Sequence, residues 1–233
     1  MQAVTRRKLE MGTRALGFSR AHPGSSAGYA AAVARLAECL ALAEQVDAQQ
    51  RDGFIAVRKA TARKRDLRRL MTQGHLNHPT RIARQASAEE PELAREFVLS
   101  RESESFAAFR TAARGMAAAA SARREALVRH GLSETVLDDL GRCLEQFDAA
   151  TAQSQEGRGL HVAASARLLA LADEIVAIVD GMNGFNRVRF AGSVEAMAEW
   201  ESVRNVATVR PAETEEVPNA PAQVEGEGKV PAA

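Results

Sequence analysis

A shift of 104 residues places one stretch of this chain on another, and this internal match constrains the fold more than any other feature. Residues 36–67 match residues 140–171 without a gap. Ten of these 32 positions are identical, where an alanine-rich composition gives roughly two or three by chance. The identical pairs are Leu36 with Leu140, Cys39 with Cys143, Leu40 with Leu144, Ala48 with Ala152, Gln49 with Gln153, Gly53 with Gly157, Ala60 with Ala164, Ala62 with Ala166, Arg63 with Arg167 and Leu67 with Leu171. Such a match is typical of a structural unit used twice.

The composition predicts an all-α fold. Apolar residues make up 45% of the chain, but aromatic residues make up only 4%. Alanine, leucine, arginine, glutamate and glutamine are strong helix formers, and the β-branched and aromatic residues that favour strands are scarce. No stretch alternates apolar and polar residues over the length of a strand beside a hairpin turn.

Hydrophobic spacing predicts the positions of the helices. We expect them at residues 3–20, about 27–73, about 104–130, about 133–182 and about 194–204. Gly74 and Pro79 predict a kink or a restart near His78, because proline cannot donate a backbone hydrogen bond. Gly157 and Gly159 weaken the fourth helix and allow a bend there.

The repeat and the helices together predict a topology. Two pseudo-repeated helical hairpins, about 1–90 and about 104–184, would form one elongated up-down-up-down four-helix bundle. Residues 185–207 would cap this bundle, which makes 1–207 a single domain. Residues 208–233 are rich in proline, glutamate, glycine and alanine and predict a disordered acidic tail. The tail has five glutamates against Arg210 and Lys229, so a whole-chain net charge of +1 leaves +4 on residues 1–207.

Four repeated polar residues are candidates for a polar core or a ligand pocket. A stripe of positions in alternating steps of three and four predicts the buried seam of the long helix: Cys39, Leu42, Val46, Gln49, Gly53, Ala56, Ala60, Arg63, Leu67 and Leu70. Gln49 and Arg63 lie on this stripe, as do their equivalents Gln153 and Arg167. A closed polar layer that fixes helix register is one interpretation, and an anion pocket between the two arginines is the other. Two exposed arginines would exclude the pocket.

His161 is a further candidate for the interior. It lies on a second stripe of the fourth helix, together with Phe147, Ser154, Leu168 and Ile175. A single histidine there is typical of a hydrogen-bonded core residue, and it is also a candidate for lining a ligand cavity. No nucleophile with an orienting carboxylate accompanies it, so no catalytic residue is predicted.

A basic stretch on the long helix is the second candidate site. The basic face consists of Arg58, Lys59, Lys64, Arg65, Arg68 and Arg69, with Asp66 as an acidic neighbour. It is either a solvated outer face or a binding surface for phosphate groups of nucleic acid or of another anionic partner. No aromatic residue interrupts the run, which argues against stacking on single strands.

The remaining motifs exclude several classes of site. His75 and His78 have no carboxylate or cysteine nearby, and neither a di-iron spacing nor a phosphate-binding loop occurs, so no metal or cofactor is predicted. The cysteines predict buried, reduced thiols, and the repeat allows Cys39 and Cys143 to approach each other at equivalent levels of two helices. No signal peptide or membrane-spanning stretch is visible, so we expect a cytoplasmic protein with no membrane partner.

These observations support three functional hypotheses. The first is a helical protein that acts through protein–protein interaction or self-association, as a scaffold, adaptor or assembly subunit. The second is binding of an anionic partner or nucleic acid through the basic face. The third is a ligand-binding bundle with a polar core at Arg63 and Arg167.

Overall fold

The computed structural model describes residues 3–97 and 105–206, and within them it is helical with no strand. The all-α prediction is confirmed. The helices are α1 (Ala3–Ala21), α2 (Ala27–Leu70), α3 (Asn77–Ala86), α4 (Pro91–Glu96), α5 (Phe106–Ala122), α6 (Arg124–Arg129), α7 (Glu134–Arg189) and α8 (Val194–Arg204). The predicted tail, residues 208–233, lies outside the described residues.

The predicted break after α2 is a change of helix type. Met71–Leu76 forms a π-helical turn that joins α2 to α3. Pro79 falls in the first turn of α3, where a missing backbone N–H is tolerated. Gly157 and Gly159 both lie inside the continuous helix α7 and do not end it.

Helices α2 and α7 form a long antiparallel pair, which is the most extensive helix contact in the described structure. Arg35 of α2 pairs with Glu174 of α7 at one end. Further along, Gly53 meets Gly157. Rising numbers in α2 therefore correspond to falling numbers in α7. We call this pair the long hairpin.

The positions that are buried at equivalent places in both helices follow one pattern. In α2 these shared positions are Leu36, Cys39, Ala43, Val46, Gln50, Gly53, Ala60, Lys64 and Leu67. In α7 they are Leu140, Cys143, Phe147, Ala150, Ser154, Gly157, Ala164, Leu168 and Leu171. Each α7 residue follows its α2 counterpart by 104 positions, the offset of the sequence match. The alternating steps of three and four are typical of helices that pack lengthwise.

The two helices approach closest where the glycines meet. A Cβ atom on Gly53 would lie 2.8 Å from the carbonyl oxygen of Gly157 and 2.9 Å from the backbone nitrogen of His161. A Cβ atom on Gly157 would lie 2.9 Å from the carbonyl oxygen of Gly53. Only glycine permits this backbone approach.

The apolar core is divided along the long hairpin into three clusters. At one end, α1 and α8 pack on the start of α2 and the end of α7, around Phe18, Leu36 and Trp200. At the other end, helices α3 to α6 enclose a cluster that contains Phe109 and Phe147. A smaller cluster around Val46 and Leu168 lies nearer the middle. The finer prediction of a four-helix bundle built from two repeats stays a prediction.

The two cysteines, which the repeat allowed to approach each other, lie far apart. Cys39 lies in the cluster with α1 and α8, and Cys143 lies in the cluster with α5. Because the helices are antiparallel, equivalent positions lie at opposite ends, about 40 Å apart by the rise of an α-helix. Both thiols are free and buried, and burial raises the pKa of each.

Candidate interaction surface at the middle of the long hairpin

Large apolar side chains are exposed near the glycine crossing. On α2, Phe54 is 53% exposed and Ile55 is 47% exposed. On α7, Leu160 is 53% exposed, Val162 is 61% exposed and Leu169 is 44% exposed. We call these five residues the middle surface. Exposed apolar side chains that are concentrated along one part of a molecule are typical of interaction sites.

The flanking helices begin on either side of this surface. Thr5, near the start of α1, lines a cavity with Gln50 and Leu169. Phe106, the first residue of α5, lies against Lys64, with 5.1 Å from the Lys64 Nζ to the ring centroid. The exposed apolar residues therefore fall mainly between the parts of the long hairpin that α1 and α5 cover.

A polar network joins α2 to α7 beside the glycine crossing. The Gln50 Nε2 donates to the Ser165 Oγ at 2.6 Å, and this hydroxyl donates to the His161 carbonyl at 2.7 Å. The His161 Nδ1 lies 3.2 Å from the Gln50 carbonyl, which only accepts, so this contact requires the proton on Nδ1. Hydrogen bonding satisfies the buried Gln50 amide and fixes the register of the two helices.

The cavity next to this network has a volume of about 440 Å³. Its lining combines the polar side chains of the network with apolar ones, and consists of Thr5, Gln50, His161, Ser165, Ala166, Leu168 and Leu169. The Phe54 ring lies 6.2 Å from the His161 ring and connects the cavity to the middle surface. The cavity thus continues the middle surface inward.

Cationic side chains stand over aromatic rings along the same part of α2. The Arg58 guanidinium lies 5.8 Å from the Phe54 ring centroid, and the Arg68 guanidinium lies 4.9 Å from the Phe109 ring centroid. Arg58 takes part in no ion pair within the described structure. The contact with Phe54 leaves the Arg58 guanidinium available to an anionic group.

Four predicted core residues are exposed, which corrects the predicted polar core and excludes the arginine pocket. Gln49, Arg63, Gln153 and Arg167 all face solvent. The Arg63 Nη2 donates to the Gln146 Oε1 across the outside of the long hairpin. Starting from Cys39, the buried positions of α2 are spaced four and then three residues apart, whereas the predicted stripe was spaced three and then four residues apart. Every second position of the predicted stripe is therefore one residue too early. The buried residues are the following neighbours, namely Gln50, Lys64, Ser154 and Leu168.

His161 lies where its stripe places it, half-buried between α2 and α7. The other members of that stripe, Phe147, Ser154, Leu168 and Ile175, are buried. Its backbone nitrogen approaches Gly53 and its ring contacts the Gln50 carbonyl. The structure therefore brings His161 together with Gln50 and not with the four predicted polar residues in a buried layer.

The six residues of the basic face differ in how far they are exposed to solvent. Arg58, Lys59, Arg65 and Arg69 are exposed and Arg68 is half-buried, as expected of an outer face. Lys64 is only 9% exposed, which corrects its place in that face. Burial lowers the pKa of the Lys64 ammonium, and repulsion by the nearby Arg158 guanidinium lowers it further.

Sequence reasoning missed several residues of this surface. Gln50 and Ser165 form the polar network, and Phe54 and Val162 are among the exposed apolar residues of the middle surface. The offset of 104 contained one usable signal: Lys64 is the counterpart of Leu168, an apolar residue on a stripe identified as interior. That match placed Lys64 inside despite its charge.

The described residues contain no group of three metal-ligating side chains. None of the described helices carries a stretch apolar enough to cross a membrane. Comparison of the chain with family models, with curated proteins and with solved structures gives no match.

Proposed function

We propose that this protein acts through protein–protein interaction, as a scaffold, adaptor or assembly subunit, and that the middle surface is its contact site. The observation that carries the proposal is the group of five large apolar side chains exposed around one glycine crossing. Isolated exposed apolar residues are ordinary, but several of them along one part of a helical pair are a candidate binding surface. The long hairpin would present this cluster without rearrangement.

We also infer that the chain arose by duplication of one helical unit. The sequence match and the burial of α2 and α7 share the offset of 104 residues, which supports this inference. Under a duplication, an ancestral pair of identical units would meet about a two-fold axis through the glycine crossing. The predicted four-helix bundle would result if each duplicated unit were a helical hairpin.

Photo-crosslinking in cells that make the protein tests the contact site. We expect benzoylphenylalanine at position 55 to give discrete crosslinked species, and Val162→Glu in the same chain to abolish them. A matched control places the crosslinker at Val188, which is 82% exposed but lies near the end of α7. Equal crosslinking from positions 55 and 188, or no effect of Val162→Glu, would contradict the proposal.

Binding of an anionic partner or nucleic acid is a second candidate function. It is favoured by Arg58, Lys59, Arg65 and Arg69, which are exposed and form no ion pair within the described structure. Phosphate contacts through such cations weaken steeply with salt. Titration of a duplex DNA of about one helical turn at two salt concentrations tests it, and binding that is absent or insensitive to salt would exclude it.

A further inference from the structure

The cavity beside the polar network contains a nearly buried hydroxyl group without a partner. Thr5 is only 4% exposed, and its hydroxyl forms no hydrogen bond within the described residues. Threonines farther along a helix, such as Thr13, donate to the carbonyl four residues earlier. Helix α1 begins at Ala3, so it has no carbonyl at that position for Thr5. The Thr5 Oγ1 is not among the polar atoms that are sealed from solvent, and Thr5 lines the cavity, so its hydroxyl opens into it.

Two hydrogen-bond acceptors lie on the same cavity. The Ser165 hydroxyl donates its proton to the His161 carbonyl, so it accepts from the Gln50 Nε2 and leaves the Gln50 Oε1 to other partners. The His161 Nδ1 holds the ring proton, which makes the Nε2 of the neutral ring an acceptor. Neither the Gln50 Oε1 nor the His161 Nε2 has a partner within the described residues, and neither is sealed from solvent. The cavity therefore offers two acceptors and one hydroxyl group.

The rest of the lining is apolar and uncharged. It consists of Ala166, Leu168 and Leu169, and none of the described lining residues is a carboxylate, a lysine or an arginine. A charged ligand would lose its hydration there without gaining an opposite charge. The volume of about 440 Å³ lies within the range of ordinary small-molecule sites, about 300–1,000 Å³. The lining thus matches an uncharged molecule that combines donors with apolar surface.

We propose that this cavity binds a small uncharged molecule with two hydroxyl groups on an apolar body. The hydroxyl groups donate to the Gln50 Oε1 and the His161 Nε2, and one of them accepts from the Thr5 hydroxyl. The apolar body lies against Leu168 and Leu169. The bound molecule contacts α1 as well as both helices of the long hairpin, because the lining comes from all three. The inference goes beyond the proposed function, because it concerns a small molecule and not a protein partner.

Resorcinol is a probe of this chemistry, because two hydroxyl groups stand apart on its uncharged benzene ring. Its dimethyl ether, 1,3-dimethoxybenzene, keeps the ring and lacks both donors. We expect resorcinol to shift the amide NMR signals of Ala166 and Leu169 in the ¹⁵N-labelled full-length chain. The dissociation constant should be on the order of 1 mM, as is usual for so small a ligand. The ether should bind about tenfold more weakly, since it leaves the acceptors without donors.

Thr5→Val removes the hydroxyl from a side chain of nearly the same shape. We expect this variant to bind resorcinol about fivefold more weakly, the ratio that roughly 1 kcal/mol of hydrogen bonding gives. Its thermal unfolding midpoint should not fall, because the hydroxyl has no partner within the described residues. Thr13→Val is the matched control on the same helix, since Thr13 does not line the cavity. Equal affinities of the two variants for resorcinol would contradict the site.

A second pair of variants tests the cavity without depending on one hydrogen bond. Ala166→Phe fills the space that the ligand needs, and we expect it to abolish resorcinol binding. Ala152→Phe is the control, because Ala152 is exposed on the same helix and lies outside the lining. We expect Ala152→Phe to bind like the parent. Binding that survives Ala166→Phe would place the probe elsewhere and overturn the proposal.

The choice of probe decides the class of ligand. Equal affinity for resorcinol and its ether would show that the acceptors are not used, and tighter binding of the anion 3-hydroxybenzoate would show that the site prefers a charge. Either result would overturn the proposal. The absence of signal shifts at about tenfold the expected dissociation constant would do so too, because the cavity would then hold only water. None of these results bears on photo-crosslinking from position 55, since neither Thr5 nor Ala166 belongs to the middle surface.

Discussion

At the scale of single residues, the glycine crossing depends on the absence of two Cβ atoms. We expect Gly157→Ala to lower the free energy of unfolding by about 1–3 kcal/mol, because the new methyl would meet the Gly53 carbonyl at 2.9 Å and must displace backbone. Gly159→Ala is the control, since nothing lies within 4 Å of its Cβ position. That variant should stabilise the helix by about 0.5–1 kcal/mol. Urea unfolding compares the two, and equal effects would contradict the close crossing.

Lys64 provides a second test at this scale. We expect Lys64→Met to raise the free energy of unfolding at pH 7 by about 1 kcal/mol, because it replaces a charged side chain that is only 9% exposed and forms no ion pair within the described residues with an apolar side chain of similar length. The pKa of Lys64 is lowered by folding, so the unfolded chain binds more protons between that pKa and the ordinary lysine value of about 10.4. The stability of the parent should therefore rise relative to the variant as the pH increases through this range. A constant difference between pH 7 and pH 10 would contradict the burial of a charged ammonium.

At the scale of helices, Asp148 attaches α5 to α7. Hydrogen bonds from Arg110 and then Arg114 lower the pKa of this carboxyl. We expect Asp148→Asn to cost about 1 kcal/mol at pH 7, and Asp139→Asn, which breaks only an ion pair with Arg142 inside α7, to cost less than about 0.5 kcal/mol. A carboxyl whose pKa is lowered by folding stabilises the fold at every pH above its unfolded pKa, and this stabilisation is lost as the pH falls through its pKa in the folded chain. The difference in unfolding free energy between the parent and Asp148→Asn should therefore vanish in acid. Thermal unfolding from pH 7 to pH 2 measures it.

The helices were largely predictable, but the side each helix buries was not. Periodicity placed α1 and α8 within one residue of their observed ends, since their breaks are marked by strong local signals around Pro23 and Gly192. Alanine occupies many positions of α2, so apolar residues cover a wide part of its surface. Leu42 therefore fitted the predicted buried stripe as well as Ala43 fits the observed one. The charge of Lys64 concealed the correct frame. The offset between the copies would have resolved it, because Leu168 is the counterpart of Lys64.

The site was predictable only in part, for a related reason. His161 was assigned to the interior because its neighbours on that stripe are plainly apolar. The middle surface was not predicted, because the exposure of Phe54 and Val162 depends on where α1 and α5 begin along the long hairpin. That placement follows from packing at the two ends, around residues such as Trp200 and Phe147, and not from local sequence.

At the scale of the whole molecule, the antiparallel crossing of α2 and α7 at Gly53 and Gly157 is the central claim, since the middle surface depends on it. Spin labels at Glu38→Cys and Arg142→Cys test it directly, because both sites are exposed whereas the native thiols are buried. The parent chain, treated with the same spin label, serves as the control that Cys39 and Cys143 do not react. Antiparallel helices place the labels about 45 Å apart by helical rise. Pulsed electron paramagnetic resonance should give a distance near this value, and a distance of about 15 Å, which helices meeting at equivalent levels would produce, would contradict the account.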